Sequence, residues 1–192
     1  MNSKFSKRSD TIQASEIREL LKLIGASDII SFGGGLPAEE IFPVEEMKVI
    51  CGEILSEYGW KSMQYAPSEG YDKLRKIIVE IMREKGINAD LDNILIVSGS
   101  QQGLDLTAKA FIDEGDTIIC ESPTYLSAIN AFKPFYPKFE EICIDNEGLI
   151  PEALEERLKN NKNVKFLYTI LCHYLSLLPF FYLIELVPSF YV

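Results

Sequence analysis

Residues 93–105 join an apolar stretch to a run of small polar residues, reading Asn-Ile-Leu-Ile-Val-Ser-Gly-Ser-Gln-Gln-Gly-Leu-Asp. This pattern predicts a strand that turns directly into a helix. A helix N-terminus carries backbone N–H groups without intrahelical acceptors, together with partial positive charge. Gly99 and Ser100 are small enough for an anion to reach that backbone, and Gln101 and Gln102 add side-chain amides. The segment therefore predicts a phosphate-binding turn, with ordinary capping of a strand-to-helix connection as the alternative.

Three further segments contain residues suited to binding a small molecule. A triple-glycine turn, Ser31-Phe-Gly-Gly-Gly-Leu-Pro37, includes Gly34 and Gly35, where the lack of a side chain allows close approach of the backbone. The second segment reads Gln64-Tyr-Ala-Pro-Ser-Glu-Gly-Tyr71. The third reads Ser122-Pro-Thr-Tyr125 and follows a predicted strand at 117–120, which places an aromatic ring near a sheet edge.

In this order and at these spacings, the segments resemble the N-terminal half of a fold-type I aminotransferase of class I/II, a family that uses pyridoxal 5'-phosphate (PLP). The most similar branch contains the 2-aminoadipate, kynurenine and aromatic aminotransferases and supplies the C-terminal domain of MocR-type regulators. The segments Ile12-Gln-Ala-Ser-Glu-Ile-Arg-Glu-Leu-Leu21 and Pro37-Ala-Glu-Glu-Ile-Phe-Pro43 are typical of that branch. The resemblance extends from residue 11 to about residue 170.

The resemblance implies a role for each candidate residue around the cofactor. Gly99, Ser100 and Gln101 would hold the PLP phosphate, and Tyr125 would stack on its ring, where an aromatic side chain gains dispersion energy. Tyr125 could instead be an ordinary core aromatic. Tyr65 would reach the phosphate of the other subunit of a homodimer, the alternative being a surface tyrosine packed on Pro67.

The resemblance also implies substrate-binding residues near the N-terminus. Arg18 would recognise an acidic substrate side chain through bidentate pairing, unless it is a solvated arginine on a helix face. Gly34 and Gly35 would lie against the substrate carboxylate, unless they serve only the turn. The implied reaction passes an amino group from 2-aminoadipate or an aromatic amino acid to a 2-oxo acid such as 2-oxoglutarate.

Four residues that the family needs cannot be assigned in this chain. They are the lysine that forms the Schiff base with PLP, an aspartate at the pyridine nitrogen, an asparagine beside the ring hydroxyl and an arginine for the α-carboxylate. In the family all four follow the strand predicted at 164–169. We therefore assign no catalytic residue and predict that the 192-residue chain lacks transaminase activity even with added PLP.

Composition and charge limit the alternatives. The net charge of −10 argues against nucleic acid as a partner and against a MocR-type regulator. The cysteines, Cys51, Cys120, Cys143 and Cys172, show no metal-ligand spacing, so we expect no metal site and interpret them as buried thiols in a reducing cytoplasm. Two other functions stay open: a non-enzymatic anion-binding fragment, and a PLP-dependent lyase or decarboxylase on the same fold.

The periodicity of apolar residues predicts alternating helices and strands and therefore an α/β fold, with a mostly parallel sheet flanked by helices. It would form an incomplete PLP-binding large domain preceded by an N-terminal helical segment. The predicted helices are 15–24, 44–58, 71–85, 101–112, 124–132 and 151–160, and the predicted strands are 94–97, 117–120, 139–144 and 164–169.

The family pattern stops after Ile170, and residues 171–192 are almost entirely apolar. Pro179 and Pro188 interrupt this tail, so a membrane-spanning helix is the less favoured interpretation. A frameshift in the coding sequence accounts better for the abrupt change, and it argues against a role for His173. We therefore divide the chain into an N-terminal arm (1–45), a partial large domain (46–170) and an aberrant apolar tail (171–192). A tail that formed a helical hairpin or stayed disordered would leave a sizeable exposed apolar patch.

Overall fold

The computed structural model describes residues 4–11, 37–146 and 148–170, and the backbone of 181–185. The chain divides into two compact units, one made of Met1–Gln13 with Val97–Val192 and the other of Ala14–Ile96. The predicted helix at 15–24 and the candidate substrate residues Arg18, Gly34 and Gly35 lie outside the described residues. The boundaries predicted at 45 and 170 stay predictions.

The described helices match the apolar periodicity of the sequence closely. They are Val44–Tyr58 (α1), Asp72–Glu84 (α2), Ser100–Phe111 (α3), Leu126–Phe132 (α4) and Pro151–Asn160 (α5). Helix α2 ends as the sequence predicts, because Gly86 takes the positive φ of +79° that closes a helix C-terminus. The N–H of Ile87 then donates to the carbonyl of Met82.

The sheet is parallel at its centre and antiparallel at both edges. Its strands are Thr117–Ser122 (β1), Lys138–Asp145 (β2), Gly148–Leu149 (β3), Val164–Ile170 (β4) and Phe181–Glu185 (β5). They lie in the order β3-β2-β1-β4-β5. Strand β1 pairs in parallel with both β2 and β4, whereas β3 and β5 run antiparallel to their neighbours. The prediction of a sheet with flanking helices is confirmed, and the sheet is mixed.

The two faces of the central strands pack against different helices. Ile118 and Cys120 of β1 and Phe166 and Tyr168 of β4 lie on one face, against α3 and α4. There the ring of Phe132 meets Phe166 and Tyr168 edge to face, at centroid distances of 5.6 and 5.7 Å. The other face packs against α5 through Ile119, Ile142 and Leu167. Successive side chains of β1 and β4 point to opposite faces of the sheet, and both faces are covered, so the central residues of both strands are buried in succession.

The prediction of a strand at 94–97 is wrong. This segment forms no ladder with any described strand. It is held instead by Glu69, which precedes α2, and by Arg75 near the start of α2. The N–H of Ile96 donates to the carbonyl of Glu69 (2.9 Å), and the Arg75 guanidinium donates to the carbonyl of Ile94 (3.1 Å). Apolar residues in a row predict an extended backbone, but only a neighbouring strand makes that backbone part of a sheet.

The interpretation of the cysteines as buried thiols holds for one of the three that lie in the described residues. Cys120 is buried at the centre of the sheet, whereas Cys51 and Cys143 are exposed. Helix α1, which carries Cys51, buries none of its residues. In β2, Cys143 is exposed, whereas the preceding residue, Ile142, is buried. Cys172 lies outside the described residues.

The tail contains one described element. The backbone of β5 pairs antiparallel with β4, from Phe166 opposite Glu185 to Ile170 opposite Phe181. This stretch is therefore extended, because the edge of β4 offers unpaired N–H and C=O groups to a neighbouring strand. Among the described residues, no helix is both long and apolar enough to cross a bilayer. His173 lies outside them.

Candidate cofactor site

The predicted phosphate-binding turn lies at the start of α3. Gly99 precedes the helix with φ +82° and ψ 166°, a conformation open to glycine and strained for other residues. A Cβ at this position would meet nothing within 4 Å, so the space beside the backbone is open. The first intrahelical bond runs from the N–H of Gly103 to the carbonyl of Gly99. The N–H groups of Ser100 and Gln101 therefore point out of the helix end toward solvent-accessible space.

The turn is fixed by a side chain from within the helix. The backbone N–H of Ser98 donates to Oε1 of Gln102 at 2.5 Å. This is the third helical residue reaching back to the residues before the helix, as in a capping box. The sequence predicts that the Gln102 amide donates to an anion, but in the structure its oxygen accepts the bond that holds the turn. The helical N–H groups are left available because Gly99, at the N-cap, has no side chain.

Tyr125 stands where β1 gives way to α4. It is the N-cap residue of α4 and is 42% exposed, so it is not the fully buried core aromatic that was the alternative. The connection from β1 passes through a cis peptide bond between Ser122 and Pro123. In the same loop the hydroxyl oxygen of Thr124 is buried and has no hydrogen-bond partner among the described residues.

Glu121 is the residue in this region that sequence reasoning missed. It is only 5% exposed, and its carboxylate accepts hydrogen bonds from the Thr169 hydroxyl and from the backbone N–H of Ile170 (3.1 Å). The signal was present in the sequence, because a carboxylate ends the otherwise apolar run at 117–121 directly before the Ser-Pro-Thr-Tyr segment. A carboxylate buried in such a place needs donors, and the sequence does not show where they come from.

A buried tyrosine adjoins the same groups. Burial first, then the nearby Tyr125 phenol and the Glu121 carboxylate, raise the pKa of Tyr168 far above its ordinary value of 10.0. The Tyr168 phenol therefore stays neutral at physiological pH.

The structure brings four of the predicted cofactor residues into one unit, and places the fifth in the other. Gly99, Ser100 and Gln101 begin α3, which packs beside α4 and leads into the start of β1. The N-terminus of α3 and Tyr125 therefore both belong to the side of the unit where the parallel strands end, the usual place for ligands in such sheets. Tyr65 belongs to the unit Ala14–Ile96 and is 99% exposed, so it does not pack on Pro67.

These features fit the chemistry of PLP. A dianionic phosphate requires backbone donors at a helix N-terminus without a side chain in the way, and the Gly99 turn meets that requirement. A flat heteroaromatic ring requires an accessible aromatic partner, which Tyr125 provides. The buried hydroxyl oxygen of Thr124 is a polar atom that a bound ligand or water would satisfy.

Comparison with known proteins identifies the family. The family model for aminotransferases of class I and II matches residues 47–173. The chain is 46% identical over 171 residues to aromatic-amino-acid aminotransferase 1 of Thermococcus litoralis, covering 86% of this chain and 41% of the relative. It thus spans about two fifths of that relative's length.

Two solved structures share the fold at high identity. One is the Pyrococcus horikoshii kynurenine aminotransferase in complex with PMP, with a TM-score of 0.79, 42% identity and coverage of 87% of this chain and 42% of that chain. The other is the α-aminoadipate aminotransferase of Thermus thermophilus complexed with N-(5'-phosphopyridoxyl)-L-leucine, with a TM-score of 0.74, 44% identity and coverage of 86% and 40%. The chain belongs to the family of class I and II aminotransferases.

Proposed function

We propose that this chain forms the phosphate-binding and ring-stacking part of a PLP-dependent aminotransferase. The observation that carries the proposal is the start of α3, where Gly99 at φ +82° exposes a helix N-terminus in the same unit as the accessible ring of Tyr125. An anion site alone would not need the ring, and a core aromatic would not be accessible. The two together suit a phosphorylated aromatic cofactor.

Each residue has a defined task in this proposal. The N–H groups of Ser100 and Gln101 donate to the phosphate, and the helix dipole adds favourable charge there. Tyr125 covers one face of the ring, which fixes its plane and excludes water from that side. When bound, PLP supplies an electron-withdrawing ring that makes the α-proton of an attached amino acid acidic. The lysine that would carry that proton is not among the residues assigned here.

The substrate class follows from relatives and is part of the proposal. The similar proteins are named for aromatic amino acids, kynurenine and α-aminoadipate. We infer an amino donor of the aromatic or 2-aminoadipate type and a 2-oxo acid as acceptor. Arg18, with Gly34 and Gly35, is proposed to contact the substrate; all three lie outside the described residues.

We also propose that the working form is a cytoplasmic homodimer in which Tyr65 reaches the cofactor phosphate of the partner subunit. The nearly complete exposure of Tyr65 supports this role, because the side chain is available to a second copy. Apolar side chains of α1 are exposed as well, among them Met47, Ile50 and Ile54. A surface of this kind is typical of subunit interfaces. Sedimentation velocity of the purified chain over a range of concentrations tests for self-association.

The proposed function is best tested by transplanting the segment. Residues 1–170 would replace the matching segment of the Thermococcus litoralis relative, to which the chain is 46% identical. We expect the chimera to bind PLP and to form glutamate from 2-oxoglutarate with an aromatic amino acid or 2-aminoadipate. The same chimera carrying Tyr125→Ala should lose most of that activity, and the 192-residue chain alone should have none.

Two results would contradict the proposal. A folded chimera that binds inorganic phosphate as well as PLP, without preference, would favour the anion-binding fragment. A chimera that eliminates or decarboxylates the amino acid instead of forming glutamate would favour a lyase or decarboxylase. Activity of the 192-residue chain by itself would show that the missing catalytic residues are supplied from elsewhere in this sequence.

A further inference from the structure

Strands β1 and β4 stop pairing before either strand ends. Their last mutual pair is Cys120 with Tyr168. Strand β1 nevertheless continues to Ser122 alongside β2, and β4 continues to Ile170 alongside β5. The two central strands therefore separate over their last two residues, at their carboxyl ends, just before the loop that contains Tyr125.

The side chain of Glu121 bridges this gap. One carboxylate oxygen accepts a hydrogen bond from the hydroxyl of Thr169, and the other accepts one from the backbone N–H of Ile170 at 3.1 Å. These bonds take the place of the backbone ladder that would otherwise continue between the strands. A carboxyl group has two oxygens, so it can accept hydrogen bonds from two consecutive residues of β4 and hold the two strands at a fixed separation.

The bridge also adjoins the proposed stacking residue. Tyr125 lies four residues after Glu121, in the loop that joins β1 to α4. The bonds that Glu121 makes to Thr169 and Ile170 fix the end of β1 and therefore the point from which that loop starts. The phosphate turn at Gly99 begins a different element and has its own fixing bond from Gln102.

We propose that Glu121 is a positioning residue for the ring-binding side of the cofactor site, acting through the ends of β1 and β4 on Tyr125. This inference rests on the proposed function for its ligand, PLP. Glu121 would affect the site of the PLP ring and not the site of its phosphate. Its removal should therefore weaken the binding of PLP but not that of inorganic phosphate.

The experiment uses the full 192-residue chain with PLP and inorganic phosphate as separate probes. Glu121→Ala should weaken PLP binding about tenfold while the dissociation constant of inorganic phosphate changes by less than about twofold. Glu121→Gln keeps an acceptor for the N–H of Ile170 and should recover most of the PLP affinity. Glu141→Gln is the matched control. The Glu141 carboxylate is exposed, and its hydrogen bond to β1 comes from the hydroxyl of Ser122.

A second measurement needs no cofactor and reports on the position of Tyr125 directly. With 3-fluorotyrosine at residue 125, Glu121→Ala should shift the ¹⁹F resonance, and Glu121→Gln should restore it. If Glu121→Ala does not fold, Thr169→Val, with Thr169→Ser as its control, removes one of the two donors instead. An unshifted resonance in a destabilised variant would overturn the proposal, since Glu121 would then serve stability alone. Equal weakening of PLP and phosphate would overturn it too.

Failure of the proposed function gives a different result. If the unsubstituted chain binds phosphate but not PLP, the cofactor assignment is wrong. The ¹⁹F comparison still decides whether Glu121 positions Tyr125.

Discussion

The backbone N–H of Ser98 donates to the side-chain Oε1 of Gln102, which closes the turn that precedes α3. The phosphate site has two structural requirements. The turn must keep its shape, and the first helical N–H groups must stay free for the ligand. Gln102 meets the first requirement with its oxygen and, being uncharged, does not repel an anion.

Replacing Gln102 by glutamate should separate these requirements. Glutamate keeps the acceptor for Ser98, and a negative charge in the first helical turn stabilises a helix by about 0.3–1 kcal/mol. The same charge repels a phosphate dianion. We expect Gln102→Glu to leave thermal stability unchanged or slightly higher while PLP binding, followed by equilibrium dialysis, weakens about tenfold. Gln102→Ala serves as the control that loses the turn bond, and equal PLP affinity for Gln102→Glu and the unsubstituted chain would contradict this placement of the phosphate.

Gly99 should be intolerant of a side chain for conformational reasons alone. No atom lies within 4 Å of the position of an added Cβ, but φ +82° with ψ 166° costs a non-glycine residue about 1–3 kcal/mol. Gly99→Ala should therefore lower the free energy of unfolding by about that amount and weaken phosphate binding.

Gly103 provides a matched control for Gly99 in the same helix. An added Cβ there is 3.9 Å from Val97, which is ordinary contact, and the backbone is helical. Gly103→Ala should stabilise the protein by about 0.5–1 kcal/mol through reduced backbone entropy. Urea denaturation followed by circular dichroism measures both variants, and a stable Gly99→Ala protein with normal phosphate binding would refute the assigned backbone conformation.

The periodicity of apolar residues predicted most helices and strands, because most of them depend on signals within a few residues of the chain. The helices at Val44–Tyr58 and Pro151–Asn160 appear with the predicted bounds, since apolar spacing, a proline at the start of α5 and a glycine after α1 all act within a few residues. The segment 94–97 failed because strand formation depends on a partner elsewhere in the chain. Local sequence cannot report whether that partner is present.

The sequence predicted only the part of the candidate site that depends on neighbouring residues. Gly99 and Tyr125 belong to short motifs, so the sequence alone placed them at a helix start and a strand end. Glu121 is different, because its role depends on Thr169 and Ile170, 48 and 49 residues later. The sequence contains the buried carboxylate, but the parting of β1 from β4 that gives it a task is a property of the assembled sheet.

Ionisation of the Cys120 thiol should lower the free energy of unfolding at alkaline pH. Burial first, then the Glu141 and Glu121 carboxylates, raise the pKa of its thiol from 9.0 to about 11. The folded state thus holds the proton to higher pH than the unfolded state, so the stabilisation is complete below pH 9 and is lost as pH rises to about 11. The free energy of unfolding should fall across that interval, and less steeply in Cys120→Ala. Identical slopes would contradict the assignment.

The same burial predicts which thiols react. In a Cys172→Ser background at about pH 8, the exposed Cys51 and Cys143 should react rapidly with a thiol reagent such as iodoacetamide, and Cys120 should react only on unfolding. Mass spectrometry of digested protein identifies the modified positions. Rapid labelling of Cys120 in the folded chain would show that the centre of the sheet is open.

Among the described residues of the unit Ala14–Ile96, Arg75 should be the charged residue whose substitution lowers stability most. It is 8% exposed, and its guanidinium donates to the carbonyls of Leu91 (2.6 Å) and Ile94 (3.1 Å) and to Asp72 (3.1 Å). Removing it leaves the two carbonyls without these donors, a loss of about 3 kcal/mol for Arg75→Met. Arg75→Lys should recover only part of this, because one ammonium cannot reproduce the fork of a guanidinium.

Arg83 supplies the comparison within the same helix. Its side chain is 54% exposed, pairs with Asp90 at 2.9 Å and donates to one carbonyl, that of Ala89, at 3.2 Å. Arg83→Met should therefore cost about 1 kcal/mol, less than Arg75→Met. Urea denaturation of the three variants gives the order directly, and hydrogen exchange should show faster exchange of the Ile96 amide in Arg75→Met alone, since that amide is held against Glu69 in the segment that Arg75 fixes. If Arg75→Met and Arg83→Met are equally stable, Arg75 does not replace the missing strand pairing at 94–97.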